Sequence, residues 1–118
     1  MPKYNYSKLS LKRMSECHPD LQKIALELIK EMDVTVLCGH RNKADQEKAF
    51  NSGASKKHWP NSKHNKTPSL AIDIAPYPIQ WKNLEPYKEM RERIAKIAKR
   101  LGIKIRTISW DWPHTELV

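Results

Sequence analysis

Apolar residues recur at intervals of three and four in two stretches of the chain, which predicts two amphipathic helices with one buried face each. The first stretch starts at Pro19 and has apolar positions at Leu21, Ile24, Ala25, Leu28, Ile29 and Met32. The second starts near Glu85 and has apolar positions at Met90, Ile94, Ile97, Ala98 and Leu101. Gly102 follows the second stretch, and glycine is common just beyond a helix end. A third, more polar helix is predicted from Lys43 to Ser52.

Four shorter stretches, residues 34–38, 70–75, 103–106 and 110–117, have the apolar pattern of β-strands. In the second of them, Asp73 lies between two alanines on the face opposite the apolar one. Helices and strands in this order favour an α+β fold with a small, mostly antiparallel sheet and two or three helices. With 118 residues, the chain is expected to form a single compact domain over residues 1–118.

A polar segment, residues 56–69, separates two of the predicted elements. Its only large apolar residue is Trp59, and it contains prolines at positions 60 and 68. A loop of this length inside a small domain is commonly functional. The segment carries His58, Ser62 and His64, which are therefore candidates for a functional site.

Two histidines and two aspartates form a candidate metal centre. A catalytic zinc ion commonly has three protein ligands and a water molecule, whose pKa it lowers. We predict that His64, Asp73 and His114 bind one Zn²⁺ ion and that Asp111, three residues before His114, is the general base. Each of these residues alone is more often a solvated or capping side chain, so the prediction depends on their combination.

Other residues could contribute to such a site. Arg41 follows a predicted strand, where it could hold a substrate carboxylate or a developing oxyanion, and a solvated surface role is the alternative. His58 is a candidate for substrate contact, again with a solvated role as the alternative. Cys38 and His40 could be a metal-ligand pair, although a cysteine at a strand end is more often a small buried residue. With only Cys17 besides, a disulfide scaffold is not expected and both thiols should be reduced.

The same residues resemble the motifs of the D-alanyl-D-alanine carboxypeptidase family of zinc peptidases. That family includes phage endolysins that cut between L-alanine and D-glutamate in peptidoglycan stem peptides. The matching motifs are Ser62-Lys63-His64, Ala71-Ile72-Asp73 and Asp111-Trp112-Pro113-His114, with Gly39-His40-Arg41 and Gln46 resembling an earlier segment that bears an arginine. The resemblance covers nearly the whole chain.

The resemblance implies the same zinc ligands and the same base. It also implies a carbonyl-polarising or substrate-binding role for Arg41, and a substrate-contacting or loop-orienting role for Ser62. The segment between His64 and Asp73 is two residues longer than in many members and contains Thr67-Pro68-Ser69. The chain lacks a Gly-Gly-Asp-Trp-like stretch before the last motif, so the substrate preference stays open.

The chain has 22 Lys+Arg and 13 Asp+Glu, a formal net charge of +9. Such a charge attracts polyanions, including nucleic acid, anionic lipid and acidic cell-wall polymers. The sequence contains neither a signal-peptide-like segment nor an apolar stretch of transmembrane length. We therefore expect a monomer that is made soluble in the bacterial host cytoplasm and acts at the periplasm or cell wall after release.

The leading hypothesis is a zinc metallopeptidase, a phage or prophage endolysin that cleaves the L-Ala–D-Glu bond of stem peptides and is held near anionic wall or outer-membrane polymers by charge. A D-alanyl-D-alanine carboxypeptidase is the alternative within the family. A nucleic-acid-binding protein is the alternative from another class, with the four tryptophans as stacking groups. It is disfavoured because the basic residues are dispersed and no recognition motif accompanies them. A zinc-bearing domain without catalysis is disfavoured by the presence of Asp111.

Overall fold

The computed structural model of the chain describes residues 3–118, in which four helices and four strands are arranged around one hydrophobic core. The helices are α1 (Lys8–Ser15), α2 (Pro19–Leu28), α3 (Lys43–Asn51) and α4 (Glu85–Leu101). The strands are β1 (Val34–Cys38), β2 (Ala71–Pro76), β3 (Ile105–Ile108) and β4 (Asp111–Leu117). A short 3₁₀ turn, Lys63–Asn65, lies in the polar segment before β2. The predicted α+β class is confirmed.

The four strands form one sheet in the order β1-β2-β4-β3, and every neighbouring pair is antiparallel. Strand β2 is therefore central, with β1 on one side and β4 on the other. Asp73 of β2 is paired with Cys38 of β1 and with His114 of β4. Residues directly opposite in an antiparallel pair have side chains about 5 Å apart on the same face of the sheet. The register therefore brings three chemically active side chains together.

The two predicted amphipathic helices, α2 and α4, pack against each other, and α4 packs on β2. Their apolar faces are buried as predicted except at Leu101, which is 39% exposed at the last position of α4. The fully buried side chains are Leu21, Ile24, Leu28, Met90, Ile94 and Ile97. From the sheet, Ile72 and Ile74 join this core. Helix α4 ends at Gly102, whose φ of 72° is in the left-handed region that favours glycine. One face of β2 thus builds the core and leaves Asp73 on the other.

Helix α1 was not predicted by the apolar pattern. It begins after Ser7, whose side chain accepts a hydrogen bond from the backbone N–H of Ser10. Its inward residues are Ser10 and Met14, whereas Leu9 and Leu11 are exposed. Met14 joins the core, and the Ser10 hydroxyl accepts from the backbone N–H of Val36 in β1. With one buried apolar residue and one buried serine, the helix has no apolar periodicity that the sequence could reveal.

Helix α2 also ends earlier than its apolar pattern predicts. Its last residue is Leu28, and Ile29 and Met32 are buried in the turns that follow. Across residues 3–118, none of the helices has the length and apolarity needed to cross a membrane.

Candidate metal centre and active-site cleft

Asp73 is the centre of the candidate site. Its neighbours along the strand, Ala71 and Ala75, are fully buried and small, so they leave space beside the carboxylate. Asp73 Oδ1 lies 3.1 Å from His64 Nε2 and 3.2 Å from His114 Nδ1. These separations are close to ~3.3 Å, the edge of a tetrahedron with zinc–ligand bonds of about 2.0 Å. The carboxylate is therefore within bridging distance of both predicted histidine ligands.

His64 is held in a defined orientation by the backbone. It lies in the 3₁₀ turn, where the Ser62 hydroxyl accepts from the His64 N–H and the Asn65 side chain accepts from the Ser62 N–H. Its Nδ1 is 2.7 Å from the carbonyl oxygen of Gly39, so Nδ1–H donates there and Nε2 faces Asp73. At Gly39 a Cβ would lie only 2.1 Å from the carbonyl oxygen of Arg13, so no side chain fits at this position.

His114 is oriented by a carboxylate. Its Nε2 lies 2.8 Å from Glu116 Oε1, which leaves Nδ1 facing Asp73. Glu116 is 5% exposed and also pairs with Lys63, with 3.4 Å between Nζ and Oε2. Metal-binding histidines commonly donate their other ring N–H to a carboxylate or a backbone carbonyl, which fixes the ring and raises its basicity. Both candidate histidines have such a partner.

Two clusters of mutually close ligand atoms could hold a metal ion among residues 3–118. One consists of Cys38, His64 and Asp73, and the other of Asp73, Asp111 and His114. Both clusters contain Asp73, but one contains His64 and the other contains His114. One ion bound by the predicted set would require the imidazoles to move closer together, since Asp73 Oδ1 now bridges them. The donor types, two oriented imidazoles and a carboxylate, are those of catalytic zinc sites.

The charges at this centre are strongly coupled. Burial alone would lower the pKa of His64, but the Asp73 carboxylate and its hydrogen bond raise it to about 10. Burial alone would raise the pKa of Asp73, but the charge of His64 and hydrogen bonds from both histidines lower it below its usual range. A positive ion at this place would be favoured by the ionised carboxylate and would compete with the proton of His64.

Asp111 and Arg41 flank the centre on the open side. Asp111 Oδ2 lies 3.9 Å from His114 Nδ1, and burial followed by the negative charge of Asp73 raises the pKa of Asp111. Arg41 Nη2 lies 3.7 Å from Asp73 Oδ2. Its Nη1 donates to Gln46 Oε1 at 3.1 Å, and Gln46 is fully buried. Arg41 is therefore a positioned guanidinium and not a solvated surface residue.

Two cavities meet at this centre and form one cleft. They share the walls Arg41, Ala54, Trp110 and Asp111. The first cavity, here called the basic arm, has a volume of about 60 Å³ and is also lined by Lys56, Lys57 and Lys63. The second, here called the aromatic arm, has a volume of about 350 Å³ and is also lined by Trp81, Tyr87 and Trp112. His64 and His114 line the basic arm, and Asp73 lines the aromatic arm.

A family model described as phage L-alanyl-D-glutamate peptidase matches residues 2–117. The chain belongs to this family. It is 32% identical over 114 residues to the L-alanyl-D-glutamate peptidase of Escherichia phage T5, and the alignment covers 92% of this chain and 82% of that protein. The crystal structure of the L-Ala D-Glu endopeptidase ChiX from Serratia marcescens has the same fold, with a TM-score of 0.81 and 20% identity over 98% of this chain and 92% of that one.

Ser62 and His58 are the remaining predicted site residues of this phage L-alanyl-D-glutamate peptidase family member. They lie at different distances from the centre. Ser62 lines the basic arm, but its hydroxyl is used by the backbone of the 3₁₀ turn, which supports a loop-orienting role. His58 lies outside both arms, where its ring packs against Phe50 and its Nδ1 is 2.9 Å from Glu47. Substrate contact by either residue stays a prediction.

Of the predicted metal-ligand pair Cys38 and His40, only Cys38 lies at the centre. Cys17 is buried and Cys38 is partly buried, and the two are not joined by a disulfide. Cys38 does come close to His64 and Asp73, as its place opposite Asp73 in the sheet requires. His40 belongs to neither cluster of ligand atoms within the described residues, so the structure does not bring it to the centre together with Cys38.

Glu116 is the main residue that the sequence did not predict. The available signal was its position two residues after His114 on a strand, since residues i and i+2 point to the same face. A single carboxylate at a strand end carries no other mark of function. Its role follows from three contacts that only the fold assembles: the His114 ring, the Lys63 ammonium and a buried position in β4.

Proposed function

We propose that this family member is a zinc-dependent peptidase that cleaves the L-alanyl–D-glutamate bond of peptidoglycan stem peptides. The observation that carries the proposal is the Asp73 carboxylate between two histidines whose other ring nitrogens are already engaged. Family membership and the printed activity of the T5 relative support the choice of bond.

The proposed zinc ligands are His64 through Nε2, His114 through Nδ1, and the Asp73 carboxylate. Zinc bound there would lower the pKa of a water molecule and polarise the scissile carbonyl. Gly39 and Glu116 would keep the two imidazoles oriented by accepting their remaining N–H groups. The chain would thereby hold the ion in a site with fixed donors and an open side toward the cleft.

Asp111 is proposed as the general base. It lines both arms of the cleft beside His114, where it can take a proton from the attacking water and pass it to the amine of D-glutamate. Its raised pKa suits both steps, because a carboxyl that binds a proton more readily is a better base and can still return it to the amine.

Arg41 is proposed to stabilise the oxygen of the carbonyl under attack. The buried Gln46 amide holds its guanidinium beside Asp73, so a charge-assisted hydrogen bond to a developing oxyanion needs little reorganisation. Ser62 is proposed to keep the His64 turn in place at the rim, with substrate contact as a secondary role, and His58 is proposed to contact more distant parts of the stem peptide.

The net charge of +9 is proposed to hold the protein, acting as a monomer after release, near anionic wall or outer-membrane polymers. No specific nucleic-acid contact is proposed, because no recognition motif accompanies the dispersed basic residues.

Digestion of purified peptidoglycan followed by mass spectrometry tests the reaction. We expect fragments with a new N-terminal D-glutamate, while released D-alanine would indicate the carboxypeptidase alternative. Asp111→Asn should lower the cleavage rate by about 100-fold or more and leave zinc binding within about threefold of the wild type. Glu92→Gln, at an exposed carboxylate of α4, is the matched control and should cleave normally. A fully active Asp111→Asn variant would contradict the assignment of the base.

A further inference from the structure

The two arms of the cleft differ in chemistry on either side of the candidate base. The basic arm is lined by Lys56, Lys57 and Lys63, of which Lys63 is paired with Glu116 and Lys56 has its ammonium group over the Trp110 ring. The aromatic arm presents Trp81, Tyr87 and Trp112 together with Leu37 and Leu84, and its volume of about 350 Å³ is in the range of ligand-binding pockets. Because Asp111 lines both arms, a bond attacked at the centre would have one half of its substrate in each.

Tyr87, in the wall of the aromatic arm, has a buried hydroxyl without a hydrogen-bond partner among the described residues. Its side chain is 2% exposed. Buried tyrosine hydroxyls usually have a partner, because burying a polar group without one destabilises the fold. Tyr87 lines the arm, and we take a polar group of a bound ligand as the missing partner of this buried hydroxyl.

Trp81 offers a flat apolar surface beside the Tyr87 ring. Its ring stacks on that of Tyr87 with centroids 6.2 Å apart and planes 22° apart, and the residue is still 62% exposed. Trp110, at the junction of the arms, is 45% exposed. Exposed aromatic rings in a cleft are typical contact surfaces for ligands with one apolar face and one polar edge.

We propose that the aromatic arm binds the N-acetylmuramyl–L-alanine side of the substrate and that the basic arm binds the carboxylates on the D-glutamate side. The proposal rests on the proposed peptidase function and adds the direction in which the substrate lies. A muramyl residue joined to L-alanine through its lactyl amide has no charge, and the C–H face of its pyranose ring can pack on Trp81. The D-glutamate side carries a free carboxylate, which fits the lysines and not the aromatic arm.

Two soluble substrates separate the arms: an N-acetyl stem peptide, and the same peptide with N-acetylmuramic acid at its N-terminus. We expect the wild type to cleave the muramyl peptide with a kcat/KM about tenfold higher. Trp81→Ala should remove this preference by slowing only the muramyl peptide. Tyr77→Ala, which removes an aromatic side chain of similar exposure outside the cleft, is the control and should keep the preference.

Tyr87→Phe tests the hydroxyl alone. It should reduce the preference for the muramyl peptide by about threefold to tenfold and leave the melting temperature unchanged or higher, because the removed hydroxyl has no partner in the protein. A hydroxyl with a purely structural role would instead lower the melting temperature and leave the preference for the muramyl peptide as it is.

The basic arm is tested with a peptide in which the free carboxylate of D-glutamate is an amide. The wild type should favour the acid, and Lys56→Ala combined with Lys57→Ala should reduce that preference by about twofold to fivefold on either substrate series. Equal cleavage of both N-terminal forms by the wild type, or equal losses on both in Trp81→Ala, would overturn the proposed direction. Failure of the wild type to cut the L-Ala–D-Glu bond in any substrate would instead overturn the proposed peptidase function.

Discussion

Glu116 shows how a single residue outside the proposed ligand set can orient the centre. Its carboxylate accepts from His114 and so decides which ring nitrogen faces Asp73. Glu116→Gln should weaken zinc binding by about 10-fold to 100-fold, because the amide is a poorer acceptor and leaves Lys63 without its charged partner. Competition with a chromogenic chelator measures the affinity, with Glu92→Gln as the control. An unchanged affinity would mean that the His114 ring is held by strand β4 alone.

The proton on His64 predicts how zinc binding depends on pH. The pKa of His64 is raised to about 10, so at neutral pH the ring carries a proton that must leave before Nε2 can bind a metal ion. The apparent affinity for zinc should therefore rise about tenfold per pH unit between pH 6 and 8. Calorimetry in buffers of different ionisation enthalpy should show release of about one proton per ion or more. Binding without proton release would contradict this.

At the scale of single residues, the sequence predicted the candidate ligands and base but not the groups that orient them. His64, Asp73, His114 and Asp111 could be chosen because imidazoles and carboxylates at motif spacing are few in 118 residues. Their assignment as ligands and base is still a proposal. The carbonyl of Gly39 could not be predicted, because any residue has a carbonyl and only the fold brings this one to the His64 ring.

At the scale of elements, we expect that replacing a buried serine of helix α1 lowers stability more than replacing an exposed leucine of the same helix. Ser10 is buried, accepts from the backbone N–H of Val36 and lies 3.0 Å from the Thr35 hydroxyl. Ser10→Ala should cost about 1–3 kcal/mol of stability because it leaves a buried N–H without its partner. Leu11→Ser, at an exposed position of the same helix, should change stability by less than about 0.5 kcal/mol. Urea unfolding of both variants measures the difference.

A larger loss of stability in Leu11→Ser than in Ser10→Ala would contradict this account of how α1 docks. The contrast also explains which elements the sequence could predict. Helices α2 and α4 bury continuous apolar faces, so their periodicity is visible. Helix α1 buries a serine, and the 3₁₀ turn that carries His64 is held by Ser62 and Asn65 side chains, so neither has an apolar signature.

At the scale of the whole molecule, the sheet order explains why residues far apart in the chain share one site. Strand β2 lies between β1 and β4, so Asp73 has Cys38 and His114 as lateral neighbours although 35 and 41 positions separate them in sequence. The mostly antiparallel sheet was predicted from the order of helices and strands along the chain, whereas the order of the strands within the sheet was not. Strand order depends on which long-range pairs bury the most apolar surface, and a single sequence does not display those pairs.

The net charge of +9 predicts that binding to the cell wall depends more strongly on salt than hydrolysis of the stem peptide does. Attraction between a basic surface and an anionic polymer acts over a Debye length, which falls from about 10 Å at 0.1 M salt to about 3 Å at 1 M. Contacts inside the cleft, such as the 3.7 Å between Arg41 and Asp73, are partly buried and are therefore screened much less by salt. Raising the salt from 0.1 M to 1 M should therefore weaken co-sedimentation with purified walls by at least about tenfold, and slow hydrolysis of a short stem peptide by less than about threefold. Equal losses in both measurements would place the basic side chains that matter within the cleft, and would leave the rest of the charged surface without a role in holding the protein at the wall.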